Sequence, residues 1–76
     1  MPHINIKCYP KNLNEQEMNT FVSELTKLVE KHLKSPEEYI SIIYKEIPAE
    51  QWKNEVFDTE IKPNMDKLAK KPGYDM

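Results

Sequence analysis

The sequence contains no arginine, one cysteine and one glycine among its 76 residues. All eleven basic residues are lysines, and thirteen acidic residues outnumber them. The chain therefore offers no basic field that would hold a nucleic acid. It also lacks the planar, bidentate guanidinium group that binds anions most strongly. Cys8 has no second cysteine with which to form an internal disulfide, and two histidines are too few for a structural zinc site. No metal is therefore expected.

Long apolar segments are also absent. The mean hydropathy is -0.80, and the longest apolar stretch, residues 39–44, is interrupted by Ser41. We therefore expect no membrane span, and the lack of an apolar segment after Met1 favours a cytoplasmic protein. The length predicts a single domain, residues 1–76. One core of this size contributes only about 3–5 kcal/mol, so we expect the chain to associate with itself.

The hydropathy pattern predicts an α/β fold built on a βαβ unit. Residues 2–9 alternate between apolar and polar, which is typical of a strand. Asn14 and Glu17 form a capping-box pattern, and apolar residues then recur every three or four positions as far as Leu33. Residues 39–47 are rich in β-branched and aromatic residues and are typical of a strand covered on both faces. The long crossover helix makes the two strands parallel.

The remaining residues predict a helical C-terminal tail. Residues 48–52 suit a short helical turn with Pro48 in its first position. Asp58 and Thr59 are candidate caps for a further helix that runs to Lys71, and Pro63 either kinks that helix or starts a second one. A second strand that is apolar on both faces needs more cover than one helix gives. We therefore expect a two-fold symmetric dimer.

Pro2 is the residue that most favours a chemical role. Removal of Met1 would leave a secondary amine at the start of the first strand. Desolvation in an apolar site lowers the pKa of an amine below the ordinary α-amino value of about 8. The result is a base suited to abstracting a proton next to a carbonyl group at neutral pH.

Several segments resemble the 4-oxalocrotonate tautomerase family, and its PptA-type members most closely. They are residues 2–7 (PHINIK), 14–16 (NEQ), 41–43 (SII), 51–52 (QW), 60–63 (EIKP) and 70–74 (KKPGY). The resemblance implies βαβ units that pair into a four-stranded sheet with both helices on one face. It also implies a homodimer and a cofactor-free enzyme. In that enzyme the terminal proline, Pro2 here, acts as general acid and base to interconvert the enol and keto forms of 2-oxo acids.

The resemblance also implies where substrate contacts would lie. Family members use two arginines to bind a dicarboxylate, and the nearest positions here are Lys11 or Asn12 and Ser41. Neither arginine is present, which favours an aryl or alkyl 2-oxo monocarboxylate such as a phenylenolpyruvate-like compound. Trp52 falls in the region of an aromatic residue that shapes the family's pocket, and Phe57 is a second candidate for the pocket wall.

Two other functions remain compatible with the sequence. One is decarboxylation or hydrolytic dehalogenation on the same scaffold, for which we identify no group that activates water. The other is a small, non-catalytic dimeric interaction protein in which the Met-Pro start has no role.

Overall fold

The chain forms two strands, one long helix and a helical tail. A computed structural model describes residues 1–76. The elements that carry the fold are β1 (His3–Cys8), α1 (Glu15–Leu33), β2 (Ser41–Glu46) and α2 (Ala49–Trp52). A short 3₁₀ turn, Glu37–Tyr39, precedes β2. Beyond α2 the chain continues as a wide π-type helix over Lys53–Ile61 and a 3₁₀ segment over Lys62–Lys67.

The two strands pair in parallel, with His3 opposite Ser41 and Cys8 opposite Glu46. This arrangement confirms the predicted βαβ unit. Because side chains alternate along a strand, Ile6, Cys8 and Tyr44 lie on one face of the sheet. Phe21 of α1 contacts Tyr44 on that face, with ring centroids 6.4 Å apart. Helix α1 therefore covers this face, which we call the helix face.

Helix α1 begins as the capping box predicts. The Glu17 backbone N–H donates to the Asn14 side chain at 2.8 Å, and the Asn14 N–H donates to the Glu17 carboxylate at 3.1 Å. Two of the four unpaired N–H groups at the helix start are thereby satisfied. The helix ends at Lys34, which adopts a left-handed conformation (φ 52°, ψ 46°) where glycine is the usual residue.

The boundaries of β2 and of the tail differ from the prediction. Strand β2 begins at Ser41 and not at Tyr39, because residues 37–39 form the 3₁₀ turn. Pro48 immediately precedes α2 and does not occupy its first position.

The prediction of a helix that begins at Asp58–Thr59 and runs to Lys71 was wrong. The Thr59 hydroxyl instead donates to the Glu55 carbonyl at 2.6 Å, inside a helical stretch that is already under way. Pro63 lies at the start of the separate 3₁₀ segment, which ends at Lys67. Asn64 has non-helical dihedral angles (φ -113°, ψ 19°), which marks the kink in this last segment.

The tail packs against the other face of the sheet. Lys7, whose side chain points away from the helix face, forms an ion pair with Glu60. Tyr9 packs edge-on against Trp52, with ring centroids 5.2 Å apart. The tail therefore covers the C-terminal half of this second face, which we call the tail face.

The core of the single chain is small. Only Ile47, Val56 and Phe57 are buried, and they lie where β2 meets the tail. No residue of α1 is buried, and Leu28 in that helix remains 54% exposed. Ile43 on the tail face is 50% exposed. One chain thus leaves much of its apolar surface in contact with solvent.

None of the helices combines the length and apolar character needed to cross a lipid bilayer.

Candidate active site

The N-terminal end of the sheet holds Pro2 in a defined position. The Ser41 backbone N–H donates to the Pro2 carbonyl at 3.2 Å. The Ser41 hydroxyl is also hydrogen-bonded to Nδ1 of His3, with 2.7 Å between the two atoms. Pro2 is half-buried, whereas Met1 is almost fully exposed. The first residue of β2 therefore fixes the residue that would carry the terminal amine, and Met1 projects into solvent where it can be removed.

A cleft of about 350 Å³ lies at the opposite end of β1. Its lining is mostly apolar and comes from the end of β1 and from the tail: Lys7, Cys8, Tyr9, Trp52, Tyr74 and Met76. The volume is at the small end of the range of about 300–1,000 Å³ that is typical of ligand pockets. The cleft is therefore of a size for a small molecule with an apolar part.

Lys11 lies in the loop that follows β1, two residues after Tyr9 of the cleft lining. Its backbone N–H donates to the Glu46 carboxylate at 3.2 Å, and the same carboxylate oxygen accepts a bond from the Tyr44 hydroxyl at 2.8 Å. Asn12, the next residue, has a left-handed conformation (φ 55°) that turns the loop. The Lys11 side chain is exposed and forms no ion pair. Glu46 thus anchors the loop and leaves the Lys11 ammonium group available to an anion.

Tyr44 is held as a neutral phenol. The Cys8 sulfur and the Tyr44 oxygen are hydrogen-bonded at 3.4 Å, and the Tyr44 hydroxyl donates to Glu46. The hydrogen bond with Cys8, followed by desolvation and the bond with Glu46, raises the pKa of Tyr44 above its ordinary value of 10.0. A phenol that stays protonated at all moderate pH values serves here as a structural hydrogen-bond donor to the Glu46 carboxylate.

The structure divides the predicted site residues between two places. Pro2 and Ser41 lie at the N-terminal end of the sheet, and Lys11 and Trp52 lie at the C-terminal end. At 3.3 Å per residue, the seven steps from Pro2 to Tyr9 span about 23 Å. A single chain therefore does not bring the proline and the cleft together.

Phe57 belongs to a different layer from the cleft lining. Its side chain is 0% exposed, and its ring lies 5.9 Å from that of Tyr74. Phe57 consequently supports the cleft wall from behind and does not line it.

Sequence reasoning did not identify Tyr9, Tyr74 and Met76 as site residues. The sequence placed Tyr9 in the first strand and Tyr74 in a segment that carries the family resemblance, with no role at a site for either residue. The aromatic character of both was visible, but the contact between residues 9, 52 and 74 depends on how the tail folds back. No short-range pattern encodes that contact.

The comparison with protein families decides the family assignment. The model for the family described as "Tautomerase enzyme" matches residues 2–56, which are well over half of the chain. The protein belongs to the tautomerase family. The matched range includes Pro2, Lys11, Ser41 and Trp52, and it ends before the last part of the tail.

Relatives within the tautomerase family match the chain over its whole length. It is 49% identical to Tautomerase PptA of Cronobacter sakazakii over 76 residues, which is 100% of both chains. It is 46% identical to Tautomerase PptA of Pectobacterium atrosepticum over 74 residues, 97% of both chains. It is 45% identical to Tautomerase PptA of Escherichia coli (strain SMS-3-5 / SECEC) over 76 residues, 100% of both chains. These matches confirm the resemblance to the 4-oxalocrotonate tautomerase family and its PptA-type members.

Proposed function

We propose that this tautomerase-family protein is a cofactor-free keto–enol isomerase whose general acid and base is the amine of Pro2. Its substrates are 2-oxo monocarboxylates of the phenylenolpyruvate type. The observation that carries this proposal is the position of Pro2 at the start of β1, where the Ser41 N–H holds its carbonyl at 3.2 Å. A fixed carbonyl limits where the nitrogen of the same residue can lie, and a general base must lie within hydrogen-bond reach of its proton.

The chemistry requires removal of Met1. While Met1 is attached, the Pro2 nitrogen belongs to an amide and has no basic lone pair. After removal it is a secondary amine, and an apolar, water-poor surrounding lowers its pKa below about 8. The neutral amine takes the proton from the enol hydroxyl, and the resulting ammonium returns a proton to the adjacent carbon. The C=C bond is lost and the C=O bond forms, so that no electrons and no cofactor are exchanged.

The distance between Pro2 and the cleft supports a site shared between two copies. The outer edge of β1 is free, because β1 pairs only with β2. If two β1 edges pair antiparallel about a two-fold axis, the start of each strand meets the end of the other. Pro2 of one copy then lies beside the cleft of the second copy, and the sheet becomes four-stranded. We propose a homodimer of this form, which would also cover exposed apolar residues of α1 such as Leu28.

The charges near the cleft favour a substrate with one carboxylate. Lys11 has an ammonium group without an acidic partner, whereas the Lys7 side chain in the cleft lining is paired with Glu60. Ser41 is the second residue that the family resemblance places near the substrate, and its side chain carries no charge. One cation matches one carboxylate, and the apolar cleft then receives the other end of the molecule.

The test is a comparison of three proteins in a tautomerisation assay that follows loss of the enol form. The native chain, checked by intact mass for removal of Met1, is expected to convert phenylenolpyruvate, with kcat/KM rising through one ionisation below pH 8. Pro2→Ala keeps a terminal amine but loses the rigid ring, and we expect a loss of about 10²–10⁴-fold. An N-terminally extended protein, in which Pro2 is internal, is expected to be inactive.

The control variant is Pro63→Ala, the same substitution at an exposed proline outside β1 and outside the cleft lining, which should keep native activity. Full activity in the extended protein would refute the proline mechanism. Retention of Met1 together with inactivity on all enol and 2-oxo acids would favour a non-catalytic protein.

A further inference from the structure

The last residues of the chain lie against the cleft although they belong to no helix or strand. After Lys67 the chain has no regular structure, yet Tyr74 and Met76 both line the cleft. Gly73, the only glycine, comes directly before Tyr74 and has no atoms close to where a Cβ would lie. The position of this segment is therefore set by side-chain contacts and not by a backbone ladder.

Tyr74 makes the contacts that hold the segment. Its hydroxyl accepts a hydrogen bond from Nε1 of Trp52 at 3.0 Å. Its ring lies 5.9 Å from that of Phe57, which is completely buried. The Trp52 ring is in turn packed edge-on against Tyr9. Tyr74 thus connects the end of the chain to an aromatic wall that begins on β1.

This wall leaves apolar surface free on the side of the cleft. Tyr74 is 46% exposed, although it contacts Trp52 and Phe57, and Met76, two residues later, is 44% exposed. The one charged side chain of the lining, Lys7, is neutralised by Glu60. A cleft wall of three aromatic rings and one thioether suits a flat apolar group better than a carboxylate.

We propose that Tyr74 is a specificity-determining residue, which forms with Trp52 and Met76 a binding wall for the aromatic ring of an aryl-substituted ligand. This inference rests on the proposed function, and it extends that function by assigning the choice between aryl and small alkyl 2-oxo acids to the end of the chain. The family match ends at residue 56, so the family assignment itself gives Tyr74 no role.

The first experiment compares two substrates of equal charge, an aryl enol acid and a small alkyl enol acid. In Tyr74→Ala we expect kcat/KM for the aryl substrate to fall roughly 10–100-fold, mainly through KM, with little change for the alkyl substrate. Met76→Ala, at a position that is 44% exposed, is expected to lower kcat/KM for the aryl substrate by a smaller factor. Lys71→Ala is the matched control, because Lys71 is an exposed residue of the same segment and does not line the cleft.

The second experiment measures binding without catalysis. Trp52 is the only tryptophan, so its fluorescence reports on the cleft. Titration with 3-phenylpropanoate, an unreactive aryl acid, is expected to change that fluorescence saturably, whereas butanoate is not. Tyr74→Phe keeps the ring and loses the bond from Trp52, so binding should weaken by less than in Tyr74→Ala. This readout separates the two proposals, because an inactive wild-type protein that still binds phenylpropanoate would contradict only the proposed function.

Two results would overturn the inference. One is an active Tyr74→Ala variant whose aryl-to-alkyl ratio of kcat/KM equals that of the wild type. The other is an unchanged affinity for 3-phenylpropanoate in both Tyr74→Ala and Met76→Ala. If Tyr74→Ala does not fold, as judged by circular dichroism, Met76→Ala and Tyr74→Phe decide the question by the same two measurements.

Discussion

Folding of this chain is expected to depend on its concentration. Three buried residues, Ile47, Val56 and Phe57, form the whole core of one copy. A single core in a chain of this size contributes only about 3–5 kcal/mol, whereas Phe57→Ala alone would cost about 3–5 kcal/mol. A monomer would therefore be stable only marginally. If a second copy covers α1 and the outer edge of β1, unfolding and dissociation become one step.

The size of the concentration effect follows from mass action. For a dimer that unfolds as it dissociates, a hundredfold increase in chain concentration stabilises the folded state by about 2.7 kcal/mol, since each tenfold step is worth about 1.4 kcal/mol. With a urea dependence of about 2 kcal/mol per molar, the unfolding midpoint moves by roughly 1.3 M. We expect this shift between 1 and 100 µM chain, measured by circular dichroism, and a light-scattering mass of twice the chain mass.

Leu28→Ala tests which surface the second copy covers. Leu28 is 54% exposed in one chain, and an exposed side chain usually changes stability by no more than about 0.5 kcal/mol. If the partner buries it, the same substitution costs about 2–5 kcal/mol. Lys27→Ala, at the neighbouring exposed position of α1, is the matched control.

A urea midpoint that is identical at 1 and 100 µM chain would refute the dimer, and a hexamer mass would contradict the PptA-type assembly.

The other predictions concern the substrate and the hydrogen bonds of the site. Because the chain has no arginine, kcat/KM should be higher for aryl or alkyl 2-oxo monoacids than for unsaturated 2-oxo diacids, and a better diacid would refute a site built on one lysine. The pKa of Tyr44 is raised in the folded protein, so its contribution to stability is complete below about pH 10 and is lost as the pH rises further. In Tyr44→Phe the free energy of unfolding should therefore depend less on pH above about 10. In the wild type, a titration followed by phenol absorbance should show one of the four tyrosines ionising at higher pH than the others. Glu46→Ala should raise KM more than it lowers kcat, because the Lys11 loop loses its anchor, and an unchanged KM would contradict that positioning role.

Local patterns predicted the βαβ unit because each of its parts is encoded by neighbouring residues. Asn14 and Glu17 satisfy each other's backbone groups, so the start of α1 is independent of the rest of the fold. The tail was predicted less well for a physical reason. Thr59 is a residue type that often caps a helix, but here its hydroxyl bonds to a backbone carbonyl one turn earlier. The π-type helix around Thr59 also has no hydropathy pattern that distinguishes it from an α-helix.

The candidate site was predictable only in part for the same reason. Pro2 could be predicted as a candidate base because its amine depends only on its position directly after Met1. The cleft could not be predicted, since it depends on contacts between residues more than twenty positions apart, such as the bond from Trp52 to Tyr74. The family resemblance placed Ser41 near the substrate. In the structure its backbone N–H bonds to the Pro2 carbonyl and its hydroxyl bonds to His3.

The tail also limits how the molecule can grow. Lys7 and Tyr9 of the tail face already contact Glu60 and Trp52 of the same chain. This half of the tail face is occupied by the chain itself, so a neighbouring molecule cannot stack on it while the tail stays in place. We therefore expect that removing the tail would expose this half of the sheet and would favour assemblies larger than those of the full chain.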